Sequence, residues 1–349
     1  MIDQKRIPTW LGSLAKIGVS AIMISLVVWQ VGPTAVVPEK IRWWYVVYAV
    51  ILFLLSNVLG SFQWNLLLRS AAIELPTMKV LRAYFVALFF NNFFIGGVGG
   101  DVLRAIDVSR NANNGRAGHT ESGVATIVMD RFLGLFTMLW FAGIGVELAH
   151  DSRKATLFIF GLLALFVVAG ILLTSRRIGT RADRLITKLL PNRLAIVVVN
   201  LRAGFASMRE RPGTLILAAC MSWAVQGMRI LVHYLCAVGV GAISIDDPAG
   251  LAAFFTYIPI VSIVAAIPIS IGGLGPRETA AVMLFHRAGI VGGGVVTMEL
   301  LAHLVTLVSS LPGAIAFIIG GAPNGNNTAV HTSTGDGNEL PPSGTGEKA

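Results

Sequence analysis

One glycine-rich break occurs twice in this chain, each time inside apolar sequence. Ile95-Gly96-Gly97-Val98-Gly99 runs into Gly100-Asp101 and then Arg104; Ile271-Gly272-Gly273-Leu274-Gly275 runs into Pro276-Arg277-Glu278. Three glycines in five residues break a helix, because glycine has the most backbone freedom to lose. In hydrocarbon, broken backbone survives only where protein or a water-filled cavity surrounds it. A matched pair of breaks in two halves of a chain is the strongest sequence pointer to a transporter's substrate site. The competing reading is that the glycines only let helices pack closely.

Composition fixes the environment. The chain is 55% hydrophobic and 13% charged, where soluble domains carry about 25% charged residues. Several apolar stretches are long enough for a bilayer core of about 30 Å. The expected fold is therefore all-α and polytopic, in one membrane domain over 1–322 with a disordered polar tail over 323–349. A net charge of +9 would suggest nucleic acid in a soluble protein. Here the excess lies in loops, which points to a positive-inside orientation and anionic lipid, and no nucleic-acid partner is expected. Cys220 and Cys236 share one apolar segment about 24 Å apart on a straight helix, too far for a disulfide.

Apolar spans are read at 11–31, 43–68, 122–148, 155–174, 213–241 and 292–320, about six in all. Lys5 and Arg6 before a long first run argue for a retained span rather than a cleaved leader. Two further segments, 79–98 and 249–270, lead into the glycine breaks. The second holds Pro259 and Pro268, each of which removes a helix hydrogen bond, so a bent or re-entrant course is expected. The first carries Asn91-Asn92, whose amides need partners inside the protein.

The segment 175–212 sets nine lysines and arginines against Asp183 and Glu210. It is expected in the cytoplasm, with Leu185, Ile186, Leu189 and Leu190 on one face of an amphipathic helix at the leaflet surface. Span 213–241 then leaves the cytoplasm, which puts Asp246-Asp247 outside, and the same rule is better obeyed if the first glycine segment re-enters; the second is taken to re-enter too. The two breaks then enter from opposite faces, the arrangement of an inverted repeat.

Ionisable residues within spans are costly and are functional candidates. They are Asp130-Arg131, Arg229 with His233, and Glu299 with His303. Asp130 and Arg131 point in different directions on a helix, so each needs its own partner; a structural ion pair is the bland alternative. The spacing of Glu299 and His303 offers two metal ligands with no cluster to complete them, so no metal or other cofactor is expected. Asp101 can cap the helix after the first break. Arg104 and Arg277 can reach an anion held by backbone N–H groups, or can clamp onto carboxylates such as Glu278. His119 and Glu121 are read in a polar loop. Nucleotide-binding loops and hydrolase signatures are absent.

The run Asn92-Phe93-Phe94-Ile95-Gly96-Gly97-Val98-Gly99-Gly100-Asp101-Val102-Leu103-Arg104, then Met129-Asp130-Arg131, then Pro268 to Glu278 resembles the lysylphosphatidylglycerol synthase transmembrane, flippase-like family. The likeness covers roughly 10–320. Ile95 stands where many members carry proline. The resemblance implies a membrane module associated with lipid translocation; the transferase domains fused to it in some members are not in this chain. The expected function is a lipid flippase or lipid-binding transporter in a bacterial-type inner membrane. Its cargo would be an anionic or aminoacylated phospholipid, or a polyprenyl-phosphate carrier. The headgroup site would comprise Asn92, Gly96, Gly97, Gly99, Gly100, Asp101, Arg104, Gly272, Gly273, Gly275, Arg277 and Glu278. Alternatives are a membrane subunit or lipid-presenting partner of a separate lipid-modifying enzyme, and a protein that organises lipid without moving it. Membrane lipids are the expected partners, with such an enzyme or a second copy of the chain as further candidates.

Overall fold

The computed structural model describes residues 41–93, 99–111, 119–148, 153–175, 210–265, 274–290 and 293–320, with a few isolated positions elsewhere. The expected span 11–31, most of 175–212, the tail from 323, and Gly96, Gly97, Gly272 and Gly273 lie outside them. Among the described residues all regular structure is helical. The helices are α1 (Trp43–Ser70), α2 (Thr77–Phe93), α3 (Gly99–Asn111), α4 (His119–Leu148), α5 (Arg153–Thr174), α6 (Pro212–Gly239), α7 (Pro248–Ala265), α8 (Pro276–Phe285) and α9 (Gly293–Gly320).

One expectation needs correction. Residues 119–121 are not loop: His119 and Glu121 belong to the first turn of α4. Pro259 lies inside α7, which runs on to Ala265; Pro268 is outside the described residues. The helices long and apolar enough to cross a bilayer are Trp43–Ser70, Ser122–Glu147, Pro212–Gly239, Pro248–Ala265 and Gly293–Ile319, with Thr156–Leu172 shorter. Trp43 and Trp44 open α1 on its exposed surface, where an aromatic belt meets the headgroups.

The glycine breaks turn α2–α3 and α7–α8 into hairpins. Gly100 packs on the Ala87 carbonyl, where any Cβ would collide with backbone. One turn on, the Arg104 guanidinium lies over the Tyr84 ring, so α3 returns along α2. Likewise Phe285, at the end of α8, packs on Phe254 and Tyr257 of early α7.

The chain then repeats itself upside down. The Arg42 N–H donates to the Gly239 carbonyl at 2.8 Å, and the Arg211 guanidinium donates to the Arg69 carbonyl at 2.8 Å. So α1 and α6 are antiparallel along their whole length. Exchange α1–α4 for α6–α9 and the packing maps onto itself. α1 pairs with α6; α2 lies on α9 as α7 lies on α4; α1 touches α4 and α9 as α6 touches α9 and α4. Each long helix opens a glycine to the opposite hairpin: at Gly145 a Cβ would strike Thr256, and at Gly313 the Phe85 carbonyl. Phe85 and Thr256 stand at the same place in α2 and α7. Even the ends agree. α1 closes with Ala72 at φ 58° and the Ile73 N–H on the Leu68 carbonyl; α6 closes with Gly241 at φ 76° and the Ala242 N–H on the Ala237 carbonyl. Both are left-handed helix stops of one type. Two apolar cores follow. One joins α1 with α6–α9 around Phe254 and Phe285. The other joins α1–α4 around Trp64 and Leu67.

Candidate functional site

The first break is held by α2 itself. The Asn91 side-chain oxygen accepts the Gly100 N–H at 2.8 Å, which caps the start of α3 from across the gap. The neighbouring Asn92 amide nitrogen is buried without a partner. Glycine at 99 and 100 lets the two backbones meet, and α3 then carries Asp101 and Arg104 into the protein.

Arg104 is 3% exposed. Its Nη1 and Nη2 both donate to Asp130 Oδ2 at 3.2 Å. Gln63 Nε2 donates to the other carboxylate oxygen at 3.0 Å. The guanidinium lies 3.9 Å from the Trp64 ring and 5.0 Å from the Tyr84 ring, cation–π distances. Asp101 sits 3.5 Å from Arg104 and accepts Nε and Nη2 of Arg131 at 3.0 and 3.1 Å. Asp130 and Arg131 thus have separate partners, as their spacing requires, and one network runs Gln63–Asp130–Arg104–Asp101–Arg131.

The second repeat builds the same centre from different side chains. Gly275, at φ 93°, turns the chain into α8. Its N–H is taken by Glu278 Oε2 at 2.6 Å, and its carbonyl by the Thr279 hydroxyl at 2.8 Å. Arg277 Nε lies 2.9 Å from Glu299 Oε2, close but off the hydrogen-bond direction, so neither atom is fully used. Arg277 Nη2 donates to the Glu299 backbone carbonyl at 2.7 Å and is 3.6 Å from Glu278 Oε1. His233 Nδ1 lies 3.1 Å from Glu299 Oε1. Glu299 is 0% exposed and Glu278 1%. His303 is one turn along α9 on the same side.

In role, though not in register, Arg104–Asp130–Gln63 answers to Arg277–Glu299–His233: a short-helix arginine, a long-helix carboxylate, and a polar side chain from the central helix pair. Both arginines offered to an anion or a clamp therefore rest on carboxylates. Arg229 differs. Its Nη2 donates to Asn57 Oδ1 at 3.3 Å, its charge is 5.9 Å from the Phe53 ring, and its Nε is buried with no partner. Among the described residues no carboxylate pairs with it. Nor does any group of three metal-ligating side chains occur among them.

Gln63, Trp64, Tyr84, Asn57 and Asn91 were absent from the expected site. The polar residues Asn57, Gln63 and Asn65 inside the apolar 43–68 were the available signal, since amides in a span need buried partners. Nothing in the sequence marked the rings as guanidinium partners.

Comparison with known proteins agrees with this architecture. The chain is 23% identical over 330 residues to UPF0104 membrane protein PH1989 of Pyrococcus horikoshii, covering 86% of this chain and 94% of that one. No solved structure matches it. Residues 13–313 match the family described as the lysylphosphatidylglycerol synthase TM region, a stretch that takes in both glycine breaks and both buried ion-pair centres. The chain is a multi-pass integral membrane protein and belongs to the lysylphosphatidylglycerol synthase TM region family.

Proposed function

We propose that this protein binds a lipid with an anionic or phosphate-bearing headgroup and moves it between leaflets. The cargo is an anionic or aminoacylated phospholipid or a polyprenyl-phosphate carrier, and the membrane is a bacterial-type inner membrane with 175–212 in the cytoplasm. One observation carries the reading: two glycine-broken hairpins sit upside down relative to each other, each holding an arginine on a carboxylate of a long helix. Where broken helices of this kind meet inside a bilayer, helix N-termini favour an anion at low dielectric. In this reading Arg104 and Arg277 hold the hairpins and exchange a carboxylate for the headgroup. Arg229, whose charge no carboxylate among the described residues takes, meets the phosphate first.

Reconstitution of the full chain with fluorescent phosphatidylglycerol tests this directly. Transfer should exceed that of empty liposomes, and Gly97→Val or Gly273→Val should abolish it while the protein still inserts. No transfer above empty liposomes across several headgroups overturns the proposal. A second reading is favoured by the family's description, which names a synthase: the chain would present lipid to a separate modifying enzyme. Acceleration of such an enzyme without transfer supports that alternative. Binding without either activity supports a lipid-organising protein.

A further inference from the structure

The two ion-pair centres match in geometry and differ in charge. In the first repeat Arg104 and Arg131 face Asp101 and Asp130. Two cations meet two anions, and Gln63 completes the set with an amide that does not titrate. In the second repeat Arg277 faces both Glu278 and Glu299. One buried negative charge is left over, and the side chain that meets the long-helix carboxylate, the role Gln63 has in the first repeat, is His233. That centre is neutral only with one proton on the His233–Glu299 pair.

We infer that the His233–Glu299 pair is a proton-binding site, and that its occupancy drives the lipid movement proposed above. The surroundings leave the proton little choice. On α6, Arg229 is one turn before His233 and bonds to Asn57 of α1, while Cys236 is a buried free thiol. α8 supplies Arg277 and Glu278, whose Oε2 is taken by the Gly275 N–H. α9 adds His303. α1, α2 and α7 contain no carboxylate and no histidine, and the stretch of α4 that meets α6, 134–141, has no ionisable side chain. A proton shared between Nδ1 and Oε1, 3.1 Å apart, leaves the centre uncharged. Its departure to water leaves a buried net negative charge, which a low-dielectric site disfavours. The groups that feel this charge lie on α6, α8 and α9, so proton binding biases how the second hairpin sits against the long helices. The first repeat lacks the device, which makes the second the proton-sensing half.

The coupling step rests on the lipid-transport reading; the proton site does not. The test therefore has two arms on the full chain. Imidazole-labelled protein in lipid nanodiscs is titrated by NMR from about pH 4 to about pH 10, a range that spans ordinary and shifted histidines. One signal, missing in His233→Gln, should titrate, and its midpoint should move in Glu299→Gln. A His233 signal that never titrates overturns the site. In liposomes with fluorescent phosphatidylglycerol, a gradient of about one pH unit should skew the lipid distribution up to about tenfold for one proton per lipid. His233→Gln keeps a hydrogen-bonding side chain beside Glu299 without a titrating ring; whatever lipid transfer it retains should show no skew. Native protein that moves lipid with no skew overturns the coupling, and a full skew in His233→Gln overturns the assignment. Native protein that moves no lipid sinks the transport reading instead, and the titration then decides the proton site alone.

Discussion

Arg104 sits on the short helix α3 and Arg229 on the spanning helix α6, and their surroundings assign the two guanidinium groups opposite tasks. Arg104 is enclosed by Asp130, Asp101 and two aromatic rings. Arg104→Ala leaves part-buried Asp130 with Gln63 alone and empties the space beside Trp64 and Tyr84, and should lower the melting temperature. Arg104→Lys keeps the charge but reaches Asp130 with one nitrogen instead of two, so it should recover only part of the stability. Arg229 gives up one 3.3 Å bond to an amide when replaced. Arg229→Gln should melt almost normally and bind phosphatidylglycerol about ten- to a hundredfold more weakly, the share of a charge-assisted bond. Melting and lipid binding measured on the same samples separate the two roles. At this scale the sequence was half legible. Charged letters in apolar runs identified Asp130, Arg131, Arg229, His233, Glu299 and both loop arginines. Their pairing was hidden, because Arg104 and Asp130 meet only when α3 folds back beside α4, and Gln63 joins them from a third helix.

At the scale of elements, helix limits were readable almost throughout, since apolar runs end where charge, glycine and proline begin. The error has a local cause: His119-Thr120-Glu121 is polar, yet it continues straight into the apolar stretch Ser122–Glu147. The repeat supplies its own control experiment at the ends of α1 and α6. Ala72 occupies a left-handed position, which is disfavoured for any residue with a Cβ by about 1 kcal/mol, and α6 has Gly241 there. Ala72→Gly should stabilise the protein by about that amount in denaturant or thermal melts. Gly100→Ala should do the reverse, because its Cβ meets the Ala87 backbone, whereas Gly161→Ala faces open space and should be silent. A Gly100→Ala protein that melts normally would mean that α2 and α3 do not close on each other as described.

For the whole molecule, orientation follows from charge and symmetry together. Cysteines placed at Leu185 and at Asp246, in a background with Cys220→Ala and Cys236→Ala, should react from opposite sides with an impermeant reagent. Equal labelling from outside would overturn the inverted arrangement. The duplicated break made that arrangement legible in outline. What the letters could not convey is the exchange at its centre: α2 rests on α9 and α7 on α4, because packing partners far apart in sequence leave no local pattern. That exchange has a consequence for descent. Each half leaves its hairpin unsupported and its long helix with an empty glycine notch until the other half arrives, so neither half is a self-sufficient body. A half-length forebear could have been complete only as two identical chains inserted in opposite directions, each lending its hairpin to the other.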